Sequence, residues 1–394
     1  MNGWLRKLGR IVGVCLLAFL LLEVLLFLFN DYVFHSSFYI FDPQLGFRVR
    51  PYASFGDSQA NRFGFNDKDY PLVRQPATYR ILVLGDSFNW MGGRERNYVS
   101  LLDKLFEEEF GPGRVEVINA GYSQTHTAEQ LALLNKYGIL YKPDLTVLSV
   151  FAGNDFYDAD PNRKRIAIGG GMTDVFADRD FYAVVLGKPV VLQSRLVLYL
   201  REKWRSLEKR AEESPKIRTG RSQESSGRSK PLRTEVVSHP LSPNYLNSLH
   251  LRTQFNRRDR FDDFELNVEL VTRSVLAMEA VLKERGIRLA VAVFPDEIEV
   301  DSEIRQAFLS HYKMESVQYE WSRARSILRQ LCLEHDIPFL DLYPDFLDAT
   351  QAGGKHYLPN NGHWNDAGNE LAARFLFNAL KGQVQVELGL NSAE

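Results

Sequence analysis

Cysteine is nearly absent from this chain: 394 residues contain two, Cys15 and Cys332, and no Cys-x-x-Cys pair. A disulfide framework and thiolate metal or redox motifs are therefore excluded, and packing alone must hold the fold. An excess of one charge is missing too. Lys+Arg number 48 against 50 for Asp+Glu, a formal net charge of -2, so there is no broad field to recruit nucleic acid. With 45% hydrophobic and 25% charged residues, intrinsic disorder is excluded as a description of the whole chain. The length suits one generous domain or two modest ones. No internal repeat is evident.

One long apolar run is present. Residues 11–29 hold a single ionisable side chain, Glu23, and follow Arg6, Lys7 and Arg10. At about 1.5 Å rise per residue, such a helix covers roughly the hydrocarbon thickness of a bilayer. A buried core helix would not be apolar on every side, and no small-x-small cleavage pattern precedes Asn30 and Asp31 as a signal peptide would require. An uncleaved anchor fits better: residues 1–30 would be a cytoplasmic tip and transmembrane helix, touching the lipid bilayer through residues 11–29. Basic residues before the run, with Phe27, Phe29, Tyr32 and Phe34 at its far end, place everything beyond residue 30 in the periplasm or outside the cell. Glu23 either has a functional partner in the membrane or, about 9 Å below the outer edge, stays protonated or reaches the headgroups. The second is the simpler expectation.

Residues 31–79 lack sustained periodicity and include Pro51, Pro71 and Pro76, which suggests a lead-in lying against the main domain. From Arg80 the pattern changes. Continuous apolar runs recur at RILVLGDS, VEVINAG (115–121), LTVLSVFAGND (145–155), IRLAVAVFP (287–295) and IPFLDLY (337–343). Runs without alternation predict strands buried on both faces. Helix-like stretches lie between or after them at 98–110, 127–137, 263–285, 316–334 and 371–380, and this alternation predicts an α/β domain with a parallel sheet over 80–385. A tail of 386–394 follows. The domain is interrupted at 156–261, too long for an ordinary connection. Within it, residues 201–233 hold 11 Lys or Arg against 5 Glu, with many Ser and Gly, which reads as a mobile basic stretch. Such a tract could bind anionic headgroups or glycans, but is more simply a solvated one.

Three strand ends carry candidate chemistry. Gly85-Asp86-Ser87-Phe88 puts Ser87 at a carboxyl end, where parallel sheets place their ligand sites, and a serine hydroxyl there becomes a nucleophile if a base takes its proton. Asn119-Ala120-Gly121 and Gly153-Asn154-Asp155 close the next two runs; the Gly121 N–H and the Asn154 amide could join the Ser87 N–H as oxyanion donors. Each block alone is equally an ordinary turn. Of eight histidines, only His363, in Asn360-Asn361-Gly362-His363-Trp364-Asn365-Asp366, sits in a strand-to-helix loop late enough to return beside the first strand as general base. Asp86, Trp90 and Trp364, adjacent to these motifs, are candidates for touching substrate, the tryptophans by stacking on a sugar ring or simply by packing.

In this order the four blocks resemble the SGNH or GDSL hydrolase superfamily, over residues 80–160 and 262–380, and NRFGFNDKDY (61–70) looks like the Asn-x-x-Gly-Phe lead-in of its membrane-anchored members. The resemblance implies a flavodoxin-like three-layer α/β/α sandwich, with Ser87 as nucleophile, Gly121 and Asn154 as oxyanion donors, His363 as base, and neither metal nor organic cofactor. One departure stands out. The family places an aspartate three residues before its histidine, where this chain has Asn360. Asp366, or Asp341, Asp345 or Asp348, would then have to orient the ring; otherwise a backbone carbonyl serves a Ser-His dyad, or turnover is slow.

The expected function is that of an extracytoplasmic serine esterase cleaving O-acyl groups, plausibly O-acetyl, with a cell-surface glycan or a small acylated molecule as substrate. An O-acyltransferase of envelope polysaccharide would begin with the same acyl-enzyme. A catalytically weak scaffold or binding protein is the alternative that Asn360 favours. No nucleic-acid partner is expected.

Overall fold

The computed structural model describes residues 2–34, 37–56, 58–201, 203–204 and 241–390. Its centre is a five-stranded sheet: β1 (Tyr79–Leu84), β2 (Val115–Asn119), β3 (Leu145–Phe151), β4 (Arg288–Phe294) and β5 (Phe339–Asp341), in the spatial order β5-β4-β3-β1-β2. All four pairings are parallel, with Leu82 opposite Ile118 and Thr146, and Val291 opposite Leu148 and Phe339. This is the doubly wound order of flavodoxin-like sheets, whose carboxyl ends form a crevice.

The apolar runs exist because both faces are covered. On one face α3 (Thr127–Lys136), α5 (Phe264–Lys283) and α6 (Arg323–Glu334) bring Leu133, Val271, Val275 and Leu328 against Leu82, Leu148 and Val291. On the other, α2 (Tyr98–Phe110) and α7 (Asp366–Glu387) bring Leu102, Phe106, Ala372 and Leu376 against Ile81, Val83 and Val147. The predicted fold class is the observed one. Two helix boundaries differ from expectation. The stretch 316–334 is one 3-10 turn (Ser316–Gln318) and then α6, broken where Arg257 bridges to Tyr319. The last helix is longer than 371–380, because Asn365 caps it by accepting from the Gly368 N–H at 3.0 Å.

Before the sheet, Phe65 and Tyr70 of the lead-in are buried in the first core, and the Tyr70 hydroxyl donates to the Val117 carbonyl at 3.0 Å. Between β3 and β4 lie two hairpins, Arg163–Ile168 with Gly171–Phe176 and Tyr182–Val185 with Lys188–Val191, and α4 (Pro243–Arg252). Most of the basic stretch 201–233, from residue 205 onward, lies outside the described residues, as do residues 391–394 of the tail.

α1 (Asn2–Leu28) is a continuous helix in which an 18-residue window of Gly3–Leu28 has a mean hydropathy of 3.0 and is almost unburied, long and apolar enough to cross a membrane. The simpler expectation for Glu23 is corrected here. Its carboxylate accepts from the Ser194 hydroxyl at 2.5 Å and from the Arg195 and Leu196 N–H groups at 2.9 and 3.1 Å, capping the helical residues that begin at 195.

Candidate active site

β1 ends in a turn that must be tight, because its neighbours crowd it. The Asp86 carboxylate accepts from the Phe88 N–H at 3.0 Å and caps the 3-10 turn Ser87–Asn89. Beneath the turn a closed network fixes its position. Asn89 donates to the Asn119 side-chain carbonyl at 2.9 Å, Asn119 donates back to the Asn89 carbonyl at 2.7 Å, and the Tyr98 hydroxyl donates to Asn89 Oδ1 at 2.8 Å. A Cβ at Gly121 would stand 2.5 Å from Asn89, so the Asn119-Ala120-Gly121 block is glycine-ended because the network leaves no room. The result is a half-buried Ser87 held at the carboxyl end of the sheet.

His363 arrives from the other end of the chain. In the loop before α7, Leu358 donates to the His363 carbonyl at 2.8 Å, and Tyr357 bridges to Trp364. Gly362 has φ +82°, and a Cβ there would lie 2.9 Å from Arg252, so this bend admits glycine alone without displacement. The bend delivers His363 Nε2 to 2.8 Å from Ser87 Oγ. That is hydrogen-bond reach for a nucleophile and its base.

Behind the ring stands Asn361, not Asn360. His363 Nδ1 donates to Asn361 Oδ1 at 2.5 Å, while the His363 backbone N–H approaches the same oxygen at 3.4 Å. A backbone N–H can only donate, so it favours oxygen rather than the amide nitrogen facing the ring. The proton then sits on Nδ1, leaving Nε2 to accept from Ser87. Asn360, with φ +56°, instead accepts from the Ser242 N–H at 2.7 Å, and Asp366 pairs with Arg96 at 2.7 Å. Asp341 pairs with Arg329 at 2.5 Å. The orienting roles expected for Asn360 and Asp366 are corrected accordingly.

Three further expectations are revised by burial. Trp90 is 3% exposed and donates to the Gly121 carbonyl at 2.9 Å, with Phe38 and Phe55 edge-on. Trp364 is 1% exposed, stacked on Phe346 and packed on Phe88 and Phe294. Both tryptophans are core, because each indole fills the gap between motif loop and sheet. Asp86 is spent on its cap; burial pushes its carboxyl up to about 7, and burial raises that of neighbouring Asp155 well above the usual carboxylate range as well.

Of the expected oxyanion donors, the Gly121 N–H is engaged, donating to Asn119 Oδ1 at 3.2 Å, and Asn154 Nδ2 donates one hydrogen to Asp158 at 2.6 Å. The second Asn154 amide hydrogen is not used by that bond. Two residues not singled out from sequence complete the surroundings. Arg252, from α4, forms a two-point ion pair with Asp296, Nε–Oδ2 2.8 Å and Nη2–Oδ1 3.1 Å, and both side chains are largely buried. Burial first and the Arg252 charge second push the His363 imidazole down to about 4. Asp296 follows the fourth apolar run, the same strand-end signal that marked the other blocks; Arg252 left no such signal. Among the described residues no cluster of His, Cys, Asp and Glu fits a metal ion.

A serine and a histidine meeting over the carboxyl ends of a 2-1-3-4-5 parallel sheet define a protein of the α/β serine-hydrolase type. Residues 254–392, which include His363, match the family model described as "SGNH hydrolase-like domain, acetyltransferase AlgX". Solved structures similar to it include an acetyl xylan esterase, AlAXEase, at 15% identity, covering 76% of this chain and 99% of that one, TM-score 0.40. They also include a lipase/acylhydrolase from Enterococcus faecalis at 15% identity, 78% and 97% coverage, TM-score 0.39. A catalytic mutant of an acetylxylan esterase from Geobacillus stearothermophilus aligns at 11% identity, 81% and 98% coverage, TM-score 0.39. No curated protein matches the chain in sequence.

Proposed function

We propose that this chain is a membrane-anchored serine acyl-ester enzyme that forms an acyl-enzyme on Ser87, its substrate an O-acyl group, plausibly O-acetyl, on a cell-surface glycan. The observation that carries the reading is the 2.8 Å Ser87 Oγ–His363 Nε2 contact with Asn361 behind it. His363 takes the hydroxyl proton as Ser87 attacks the ester carbonyl. The Ser87 N–H and the second hydrogen of the Asn154 amide are the donors proposed for the developing oxyanion, the Gly121 N–H joining them on release from Asn119, and His363 returns the proton to the departing alcohol. Water or a sugar hydroxyl then accepts the acyl group. The description of the matching family, an acetyltransferase, favours the sugar. The apolar run of α1 supports an anchor with residues beyond 30 outside the cytoplasm.

The test is the intact mass of the full chain in detergent after brief exposure to p-nitrophenyl acetate, beside Ser87→Ala. An acetyl adduct in the parent and none in the variant supports the reading. Nitrophenol release of equal rate in both would sink it. Adding an acetylation-competent oligosaccharide then separates the two classes: a transferase loses its adduct to the sugar, a hydrolase to water.

A further inference from the structure

The Arg252–Asp296 pair lies between two of the blocks that build the site, and each block meets it with a glycine. A Cβ at Gly362, one residue before His363, would stand 2.9 Å from Arg252 Nη1 and 3.0 Å from Nη2. A Cβ at Gly153, one residue before Asn154, would stand 2.5 Å from Asp296 Oδ2. Gly153 has no positive φ, so it is space alone, taken by Asp296 and the Phe151 ring, that calls for glycine there. The backbone ahead of Asn154 thus rests on the carboxylate, and the backbone ahead of His363 on the guanidinium.

Both ends of the pair are fixed from behind. Asp296 caps the short helix Glu297–Val300, its own N–H donating to Glu299 at 3.1 Å. The Arg252 side chain runs back toward the amino end of α4, as helical side chains do. There Nη1 donates to Ser248 Oγ at 3.3 Å, and the guanidinium carbon lies 5.6 Å from the Tyr245 ring centroid. The Tyr245 hydroxyl donates in turn to Glu297, on the same short helix as the Asp296 cap. At its amino end α4 is capped by Ser242, whose Oγ accepts from the Tyr245 N–H at 3.2 Å and whose own N–H donates to Asn360 at 2.7 Å. α4 therefore meets the histidine loop at 360 and at 362, on both sides of the Asn361 that stands behind the His363 ring.

Stability alone does not account for two charges in this place. With side chains 12% and 2% exposed, the pair has given up most of its hydration, and apolar residues of similar volume often hold a fold as well. What apolar residues lack is the fixed length and plane of a two-point guanidinium–carboxylate bond. We infer that Arg252 and Asp296 are positioning residues: their pair is a rigid spacer between Gly153 and Gly362 that sets where the Asn154 amide and the His363 ring stand around Ser87, with α4 as its mount. The inference rests on the proposed acylation of Ser87.

The test follows the burst of nitrophenol from p-nitrophenyl acetate with the full chain in detergent, reading the acylation rate at saturation separately from the half-saturating concentration. Arg252→Lys keeps the charge but cannot bridge both Asp296 oxygens in one plane. It is expected to lower the rate at saturation by about 10²-fold, the cost of a misplacement of about 1 Å, with half-saturation unchanged. Arg80→Lys, at the buried pair with Glu116 toward the amino side of the sheet, is the control for lost stability and should acylate at the parental rate. If Arg252→Lys does not fold, Arg252→Met combined with Asp296→Leu takes its place, with thermal unfolding near that of the parent and slow acylation as the expected result. Parental rates in either variant overturn the inference, as does an equal loss in Arg252→Lys and Arg80→Lys. Loss of the fold in both site variants overturns it too, the pair then being needed for stability. These outcomes leave the proposed function standing as long as Ser87→Ala abolishes the parental burst, whereas a parent with no burst brings down both.

Discussion

Asn361 carries the largest consequence of any single residue in the site. Its amide oxygen holds His363 in the tautomer that catalysis needs, but an amide has no charge to offset the imidazolium that forms when Ser87 gives up its proton. Asn361→Asp is therefore expected to raise kcat/KM on an activated ester by about 10²-fold or more, a part of the roughly 10⁴ that the reverse change costs in a serine protease. Asn360→Asp should bring no such gain, since that side chain serves the Ser242 N–H. Steady-state rates of the two variants side by side check this. pH dependence follows from the same residue. With its imidazole pushed down to about 4, by burial and by Arg252, His363 stays neutral through the mildly acidic range. The acidic limb of kcat/KM should then fall near pH 4 rather than near the usual histidine value of about 6.5. The sign for stability is the same: the contribution is present above pH of about 6.5 and is lost as pH falls toward 4, because the unfolded chain binds that proton first. Arg252→Gln removes the opposing charge, so its limb should move up in a pH-rate profile. The pairing of Ser87 with His363 was legible in the sequence, because one closes an apolar strand and the other lies in the loop before the last helix, whereas the oxyanion roles read for Gly121 and Asn154 remain part of the proposal. Asn361 was not legible, because a shift of one position around a left-handed residue at 360 depends on backbone dihedrals that spacing does not encode.

Among the elements, β1 is unusual in carrying an arginine with no solvent exposure. Arg80 pairs with Glu116 of neighbouring β2 at 2.5 Å and donates to the carbonyls of Tyr141 and Pro71, both at 2.7 Å. One side chain thus ties β1, its edge neighbour β2 and the lead-in together. Arg80→Ala should cost about 3 kcal/mol or more, the range for orphaning one partner of a buried pair. Limited proteolysis should then open the lead-in around residues 61–76 before the sheet, and thermal unfolding gives the magnitude. The strands and most helices were readable as elements because both faces of the sheet are covered and the apolar runs are unbroken. The segment 156–261 was not. Its hairpins carry mixed patterns, and α4 was hidden inside a stretch that composition marks as an insertion, although it supplies Arg252 to the site.

At the scale of the molecule, α1 is coupled to the rest through Glu23. Removing residues 1–29 takes away the acceptor of the Arg195 and Leu196 N–H groups, so hydrogen exchange should quicken there while β1 and β3 keep their protection. Equal exchange in the two chains would mean that the cap does not persist in solution. The apolar run gave the helix from sequence, whereas the cap joins residues more than 170 positions apart and no local pattern announces it.

The two reacting residues are also distant in sequence, 276 positions apart. A chain made from its N-terminus delivers the apolar helix and Ser87 well before His363. Until α7 packs onto α2, the serine has no base, so every nascent or prematurely ended chain is chemically silent. On the proposed Ser87–His363 chemistry, no activity can begin before residue 363 has been made and α7 has packed, a safeguard supplied by strand order and needing no inhibitor.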